Sequence, residues 1–521
     1  MEKDVLVRKS SGLVRNISAR DALILNVMFM APTAIFVYGI WASVIYPGVD
    51  LPMTALLAIP LSIIVGLFYA IYSAAMPRSG GDYVWVSRVI HPAIGFMINF
   101  FIFMVLLSVA GSYVPWLTQY ALAPILSFNG LTEAAAFVAS NEFTFFAAII
   151  IYLAFAAIVS RGSKATSVAL WILFALIFIG LIVYIATMLS IGQQGFIANF
   201  NAKSGMNYEK TMKAALDTGY PGKFLADATL LGLVFTFINF LGFNSSIYAA
   251  GEIKGVQKSQ LIAIIGAVII FGLITWAAYQ VTYYGMGGMF IGSLSYLFAT
   301  GDPGYTLPFT AGPFFGFLFQ YATNNAALYT FVMICWSAMI LGAILTYIAI
   351  TVRLVFAWSF DRVVPTALSK IDSRFNSPYM ALIVVTIVAI ILQAAWIWTP
   401  LIQYFAYAVF GWMIVQIIAA ISGIVFPYRR KDIFEKAPSI VRARVGPVPV
   451  LAILSVLTII ISLWLAYGSM SPALIGTINP ATMTFTFGLF ILALVIYGIS
   501  AAYHRKVGLP LDLTFKEIPP E

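Results

Sequence analysis

The sequence predicts an all-α polytopic membrane protein with about twelve transmembrane helices. Three observations predict it. Of 521 residues, 62% are apolar and 9% are charged, against roughly 25% charged residues in soluble domains. Long stretches carry no Asp, Glu, Lys or Arg, among them Ala22 to Val49, Leu51 to Pro77, Phe143 to Ser160, Ala165 to Ala202 and Ala228 to Gly251. Crossing the hydrocarbon core takes about 20 apolar residues. The third observation is where the cations fall, and it needs the helices placed first.

Spans are expected near 22–46, 52–75, 93–124, 143–160, 165–190, 228–250, 260–285, 325–351, 378–397, 400–426, 448–468 and 482–503. The charge-free runs Phe375 to Tyr428 and Val445 to Tyr503 each hold two of them. Alternate connections, together with both tails, then hold 24 Lys and Arg; the other connections hold 4, all between residues 203 and 223. This is the positive-inside bias, and it places both termini in the cytoplasm. The net charge of +9 therefore follows from topology and attraction to anionic lipid rather than from a nucleic-acid partner. The same bias fixes the parity of the count. A second span inside Pro303 to Val352 would move Arg353, Arg362, Lys370 and Arg374 to the other side, so its Pro- and Gly-broken first half reads as an interfacial or re-entrant piece.

The first span is too long for a cleavable signal segment and is expected to be retained. The single cysteine, Cys335, rules out a disulfide framework and a cysteine-based metal site. Enzyme signatures are missing: there is no phosphate loop, no HExxH and no GxSxG elbow. No repeated filter motif or ring of like charge points to a channel. No cofactor is implied. A small-molecule carrier is the remaining class.

Two spans carry helix-breaking chemistry at mid-depth. In the first, Met30-Ala31-Pro32-Thr33-Ala34 places a proline where its ring clashes with the preceding turn. In the sixth, Asn239 to Ser246 brings Gly242 and small polar residues to mid-membrane. These are corresponding positions if the first ten helices form two five-helix repeats, and a matched pair of interrupted helices marks a transporter's binding site.

The segment Pro77-Arg78-Ser79-Gly80-Gly81-Asp82-Tyr83-Val84-Trp85-Val86-Ser87-Arg88 resembles the signature between helices 2 and 3 of the amino acid–polyamine–organocation (APC) superfamily. Three further segments match in order. They are Gly242-Phe243-Asn244 with Ala249-Ala250-Gly251-Glu252, then Arg353 with Asp361-Arg362-Val363-Val364-Pro365, then Phe426-Pro427-Tyr428-Arg429-Arg430. The sequence departs from the family at the first break, where Pro32-Thr33-Ala34-Ile35-Phe36 replaces a glycine-rich run, and at Asn244, where an acid is usual.

The resemblance implies an amino acid permease with the LeuT-type 5+5 inverted-repeat fold and two extra helices. Residues 1–20 are then a cytoplasmic tail and 21–430 the transport core, with repeats 21–190 and 227–430. Residues 431–503 hold helices 11 and 12, and 504–521 a second cytoplasmic tail. Substrate is expected at Met30, Ala31, Pro32, Thr33 and Ala34 of the first break and at Phe240, Gly242, Phe243 and Asn244 of the sixth span. A half-helix beginning near Pro32 aims free N–H groups of Thr33 and Ala34 at a carboxylate. The unwound backbone near Phe240 to Phe243 offers carbonyls to an ammonium, and Asn244 selects by geometry rather than charge. Met28, Phe29, Met30 and Phe240 make an apolar wall, which favours a neutral or apolar amino acid. Polyamine or nucleobase carriage, or nutrient sensing without turnover, are the alternative readings.

No charged residue falls near the midplane, so a co-transported proton has no evident relay there. Thr346 and Tyr347 are positioned to face the first break and offer hydroxyls to sodium. Arg78 and Arg353, in the matched motifs, are the candidates for a cytoplasmic gate. The expected location is the plasma membrane.

Overall fold

The computed structural model describes residues 13–32, 35–372, 374, 375, 377–400, 409–469, 480–508 and 511–516. Among them, eleven helices are long and apolar enough to cross a bilayer. They are α2 (Leu51–Ala75), α3 (Pro92–Leu117, continued by further helical turns to Phe128), α4 (Asn141–Ser160), α5 (Ser163–Lys203), α6 (Ala226–Phe240, then shorter turns), α7 (Val256–Thr282, continued to Thr300), α8 (Ala326–Phe360), α9 (Tyr379–Trp398), α10 (Val409–Arg429), α11 (Val450–Ser469) and α12 (Pro480–Lys506). The first expected span is present as two short helices, α1a (Ala19–Phe29) and α1b (Ile35–Ile45). A backbone in hydrocarbon must satisfy its own polar groups, so apolar sequence of this length folds as helix.

Local sequence sets the helix starts. Ser18 and Asp21 form a reciprocal capping box at α1a, Asp50 caps α2 ahead of Pro52, His91 caps α3 ahead of Pro92, and Ser140 caps α4. Two helices outrun their expected ends. The expectation stopped the fifth span at 190, but α5 continues to Lys203 across a kink at Gly192, whose φ is +58°. The seventh was expected to stop at 285; it passes through a π-helical turn over Tyr283–Gly287 and runs on as helix to Thr300. The piece expected to lie at the interface contains one short helix, Phe315–Ala322, with most of its side chains buried. The sixth expected span ends early, at Phe240.

Packing orders the helices from centre to rim. The most apolar stretch of α8 is 94% buried, whereas those of α4, α5 and α12 are 28% buried. α8 is therefore the central post, and those three face lipid with side chains such as Phe146, Ile150 and Leu153 of α4. α1a packs on α7, α5 and α8; α2 packs on α7 and α6; α11 lies along α10 and α2, and α12 along α3.

One face gathers the chain ends. Ile17 N–H donates to the Glu252 carbonyl and Lys254 N–H to the Ile17 carbonyl, both at 2.9 Å. Arg430 donates to the Lys516 carbonyl at 3.1 Å, and Thr514 lies on the Asp361 carbonyl at 3.4 Å. The N-terminal segment, the exit of α6, the ends of α8 and α10, and the C-terminal segment thus share what is called here the terminal face.

Candidate substrate site

Two chain breaks meet inside the bundle. α1a stops at Phe29, and Ala31 then takes a left-handed φ of +55°. That conformation is strained for a residue with a Cβ, and Pro32 follows, which bars a helical residue before it. Thr33 and Ala34 lie outside the described residues. α6 stops at Phe240, and Gly242 takes a φ of +100°. The chain then continues in short 3₁₀ turns at Ser245–Tyr248 and Ala250–Glu252.

The breaks touch at Gly242 and Phe29. A Cβ built on Gly242 would sit 1.8 Å from Phe29 Cδ1 and 2.1 Å from Cε1. Glycine is required there twice, for its φ and for this approach. The Phe29 ring packs edge-on to Tyr347 at 4.8 Å and near Trp412 at 6.3 Å. The Tyr347 hydroxyl donates to the Phe29 carbonyl at 3.3 Å and lies 3.4 Å from the Tyr113 hydroxyl. Phe29 O is one of the carbonyls the end of α1a leaves without a helical donor, so α8 completes the break.

Below the breaks lies a polar network that sequence reasoning missed. Asn26, fully buried, accepts from Ser245 Oγ at 2.9 Å and from Ser246 N–H at 2.7 Å, and donates to Ser246 Oγ at 3.1 Å. Ser246 Oγ donates to Gln260 Oε1 at 2.7 Å, and Gln260 Nε2 donates back to the Ser246 carbonyl at 3.2 Å. The backbone freed by unwinding α6 is thereby paired with α1a and α7, which is what holds an irregular segment at membrane depth.

The expected site residues divide. Met30 and Ala31 are buried at the break beside Phe29, with Pro32 next to them. Gly242 lies against that break. Asn244 is buried, and its side-chain amide makes no hydrogen bond to a described residue. Phe240 and Phe243 turn elsewhere. Phe240 is edge-on to Phe271 of α7 at 4.9 Å, and the Phe243 ring lies beside Gly66 of α2. The apolar wall at the break is accordingly Phe29, Tyr347 and Trp412 rather than one including Phe240. Thr346 donates to the Gly342 carbonyl of its own helix at 2.8 Å, while Tyr347 reaches the break.

Toward the terminal face two buried ion pairs follow. Arg353 grips Glu252 with two bonds, Nε–Oε1 at 2.5 Å and Nη2–Oε2 at 2.9 Å. Arg88 pairs with Asp361 at 2.7 Å, both side chains being essentially inaccessible. Arg78, the other expected gate residue, is half-buried, and its guanidinium donates to the Pro77 carbonyl at 3.0 Å. Arg88, a second arginine of the same motif, is thus in a buried ion pair. Backbone bonds add a clasp: Gly80 N–H donates to the Tyr248 carbonyl, and Ser79 bridges to Ala249.

A third buried acid, Asp82, has no cation partner among the described residues. It accepts from Asn99 Nδ2 at 3.0 Å and from Tyr248 OH at 3.1 Å. Burial pushes its carboxyl up to about 6, with those hydrogen bonds pulling the other way. Asn99 in turn accepts from Trp358 Nε1 at 2.8 Å. The loop before α3, the exit of α6 and the end of α8 are thus joined in one polar layer. On the opposite side of the breaks the layer is aromatic, with Phe36 against Tyr184 at 4.7 Å, Tyr184 against Phe319 at 5.0 Å and Tyr120 against Phe314 at 5.3 Å.

The sequence profile of the amino acid permease family matches residues 22–496. The chain belongs to the amino acid permease family. It is similar to the methylthioribose transporter of Bacillus subtilis (strain 168), at 25% identity over 71% of this chain and 73% of that one. It is also similar to the branched-chain amino acid permease BcaP of Lactococcus lactis subsp. cremoris (strain MG1363), at 23% identity over 73% and 75%. An uncharacterized protein of Sulfolobus islandicus rod-shaped virus 1 is 24% identical over 52% and 56%. The permease family is consistent with the APC resemblance and makes the chain a membrane transporter. Within this permease, Asn26, Gln260 and Arg88 are among the residues at the breaks and below them that local sequence did not single out for a role. The one available signal was their polarity inside otherwise apolar or motif-bearing segments.

Proposed function

We propose that this permease is a secondary transporter, a symporter or exchanger, that moves a neutral amino acid across the plasma membrane by alternating access. Substrate sits where the two chain breaks meet. The observation that carries this reading is the contact of Gly242 with Phe29, which brings the open ends of α1a and α6 together in the bundle interior. The N-terminal end of α1b, with its backbone N–H groups, serves the substrate carboxylate, unwound carbonyls after Phe240 serve its ammonium, and Asn244 supplies a neutral polar contact. Phe29, Tyr347 and Trp412 favour an apolar side chain. Residues 21–190 and 227–430 act as the two five-helix halves, with both termini cytoplasmic. The Arg353–Glu252 and Arg88–Asp361 layers then close the cytoplasmic side.

A second substrate reading rests on one relative, whose name gives a thioether sugar. A site without a charged side chain also suits an uncharged thiopentose, which would need no carboxylate contact. Purified permease in vesicles, loaded with unlabelled solute and assayed for counterflow of labelled leucine or methylthioribose, separates the two. Saturable counterflow of leucine supports the amino acid reading, and counterflow of methylthioribose alone replaces it. Binding of either solute without flux would reduce the protein to a sensor. Imposed sodium and pH gradients in the same vesicles separate symport from exchange.

A further inference from the structure

Away from the chain breaks, the terminal face holds an open cleft of about 560 Å³ between the start of α3 and the end of α10. Arg88, His91, Arg429, Arg430 and Lys516 line it, with the Phe515 ring as one wall. Its charge is not balanced. Asp361 answers Arg88, and the exposed Asp432 answers Arg430 at 3.0 Å. Arg429 and Lys516 have no acidic partner among the described residues. Among the described residues, four cations against two carboxylates leave about two positive charges in one cleft.

Two further features point to an anion. The cleft opens on the N-terminal turn of α3, a 26-residue helix begun by Pro92 after the His91 cap, where backbone N–H groups and the helix dipole favour negative charge. The Arg88 side chain, itself inaccessible to solvent, keeps a buried Nε–H with no acceptor, and a buried donor of that kind is costly unless a ligand or water meets it. Guanidinium groups match the geometry of phosphate oxygens. The position matches a bilayer surface, because the neighbouring Tyr428 is 61% exposed at the end of a membrane span, where tyrosines sit among headgroups.

We propose that this cleft is a phosphate-binding site that takes the headgroup of an anionic phospholipid, with Arg429 and Lys516 as its free cations. The site rests on the cleft alone and is independent of which solute the permease carries. Occupancy ties the C-terminal segment to the gate layer. Phe515 lies over the Arg88 guanidinium at 4.9 Å, and Arg430 already holds the Lys516 carbonyl. A phosphate bridging Arg429 and Lys516 fixes that segment across the Arg88–Asp361 pair.

The test uses the purified full-length permease in neutral detergent. Its melting temperature is titrated with short-chain phosphatidylglycerol, short-chain phosphatidylcholine, glycerol phosphate and inorganic phosphate. Phosphatidylglycerol is expected to raise the melting temperature saturably, and phosphatidylcholine is not. Each basic contact with an anionic headgroup contributes roughly fivefold in binding, so Arg429→Gln with Lys516→Gln is expected to raise the half-saturating concentration tenfold or more. The charge-matched pair Lys254→Gln with Lys258→Gln, exposed elsewhere on the same face, is expected to leave it within about twofold. All four exchanged side chains are exposed, so ligand-free melting reports that both variants are folded. A variant-sensitive shift with glycerol phosphate or inorganic phosphate equal to that of the lipid also supports the site and makes its natural ligand a soluble phosphate. No shift with any probe, or equal weakening in both double variants, overturns the proposal.

Discussion

Gly242→Ala is the smallest change that tests the contact between the breaks. The new methyl would lie 1.8 Å from Phe29 Cδ1, and the residue would be held at a φ of +100°. Holding a side chain in that region costs about 1–3 kcal/mol. Forcing a carbon into a packed ring costs about 1–3 kcal/mol more. Phe29 cannot yield without disturbing its edge contact with Tyr347 and the break that follows it. The variant is therefore expected to melt at a lower temperature and to lose substrate-induced stabilisation in the fraction that folds. Gly242→Val extends the series with a larger effect of the same kind. Phe29→Leu in the Gly242→Ala background removes the ring and recovers part of the packing cost while leaving the dihedral cost. The assay is thermal melting with and without saturating solute. Full substrate stabilisation in a destabilised Gly242→Ala would show that glycine serves packing alone and would remove the α6 break from the site.

Four further outcomes follow from the same geometry. Arg353→Gln leaves Glu252 buried and uncompensated, which costs about 3–5 kcal/mol, whereas Arg353→Met with Glu252→Met is expected to melt near the parent; an unchanged melting temperature for the single variant contradicts the buried pair. Asp82 has its carboxyl raised to about 6 by burial, so its ionised form weakens the fold by about 3 kcal/mol above that pH and the penalty fades as pH falls toward the unfolded value near 4. Asp82→Asn is expected to gain stability at neutral pH and to flatten this part of the melting profile, and a parallel profile contradicts the assignment. Tyr347→Phe removes the donor to the Phe29 carbonyl and is expected to weaken solute binding more than Thr346→Val, because Thr346 bonds only within its own helix; the reverse order contradicts the role given to Tyr347. In a background lacking Cys335, a cysteine at the exposed Ala202 is expected to react with a membrane-impermeant thiol reagent in intact cells and one at Ser10 is not; the opposite pattern inverts the topology.

The parts legible in the sequence are those written locally. Proline and glycine punctuate helices, so Pro32 and Gly242 marked both breaks, and apolar run length marked the spans. Run length failed where a helix leaves the membrane without ending. Gly192 kinks α5, and Gln193 and Gln194 begin a polar stretch, so the chain read as loop; the structure resumes the helix to Lys203. The π-helical turn at Tyr283–Gly287 hid the continuation of α7 in the same way. Motif position likewise could not tell Arg78 from Arg88. Arg78 precedes the Gly80-Gly81 turn, whereas Arg88 sits on the short helix Asp82–Val89, which carries it to the end of α8 and Asp361.

What stayed hidden is long-range pairing. Asn26 sits in a helix that is otherwise buried and mostly apolar, and its partners lie about 220 residues away. Arg88 and Asp361 are 273 residues apart, and Arg353 and Glu252 are 101 apart. Each pair joins elements far apart in the chain: α1a to the exit of α6, the short helix Asp82–Val89 to the end of α8, and α8 to the exit of α6. Burying polar groups in such pairs carries a desolvation penalty that better-packed apolar residues would avoid. A permease that was only a stable bundle would have no use for them. Hydrogen bonds and ion pairs offer a different property: water can replace them when the layer opens, whereas an apolar seal has no such substitute. If the proposed alternating access holds, Asn26, Glu252 and Arg88 below the breaks are each bonded across elements that would separate for solute to leave on that side, and exchange with water would account for their placement better than stability does.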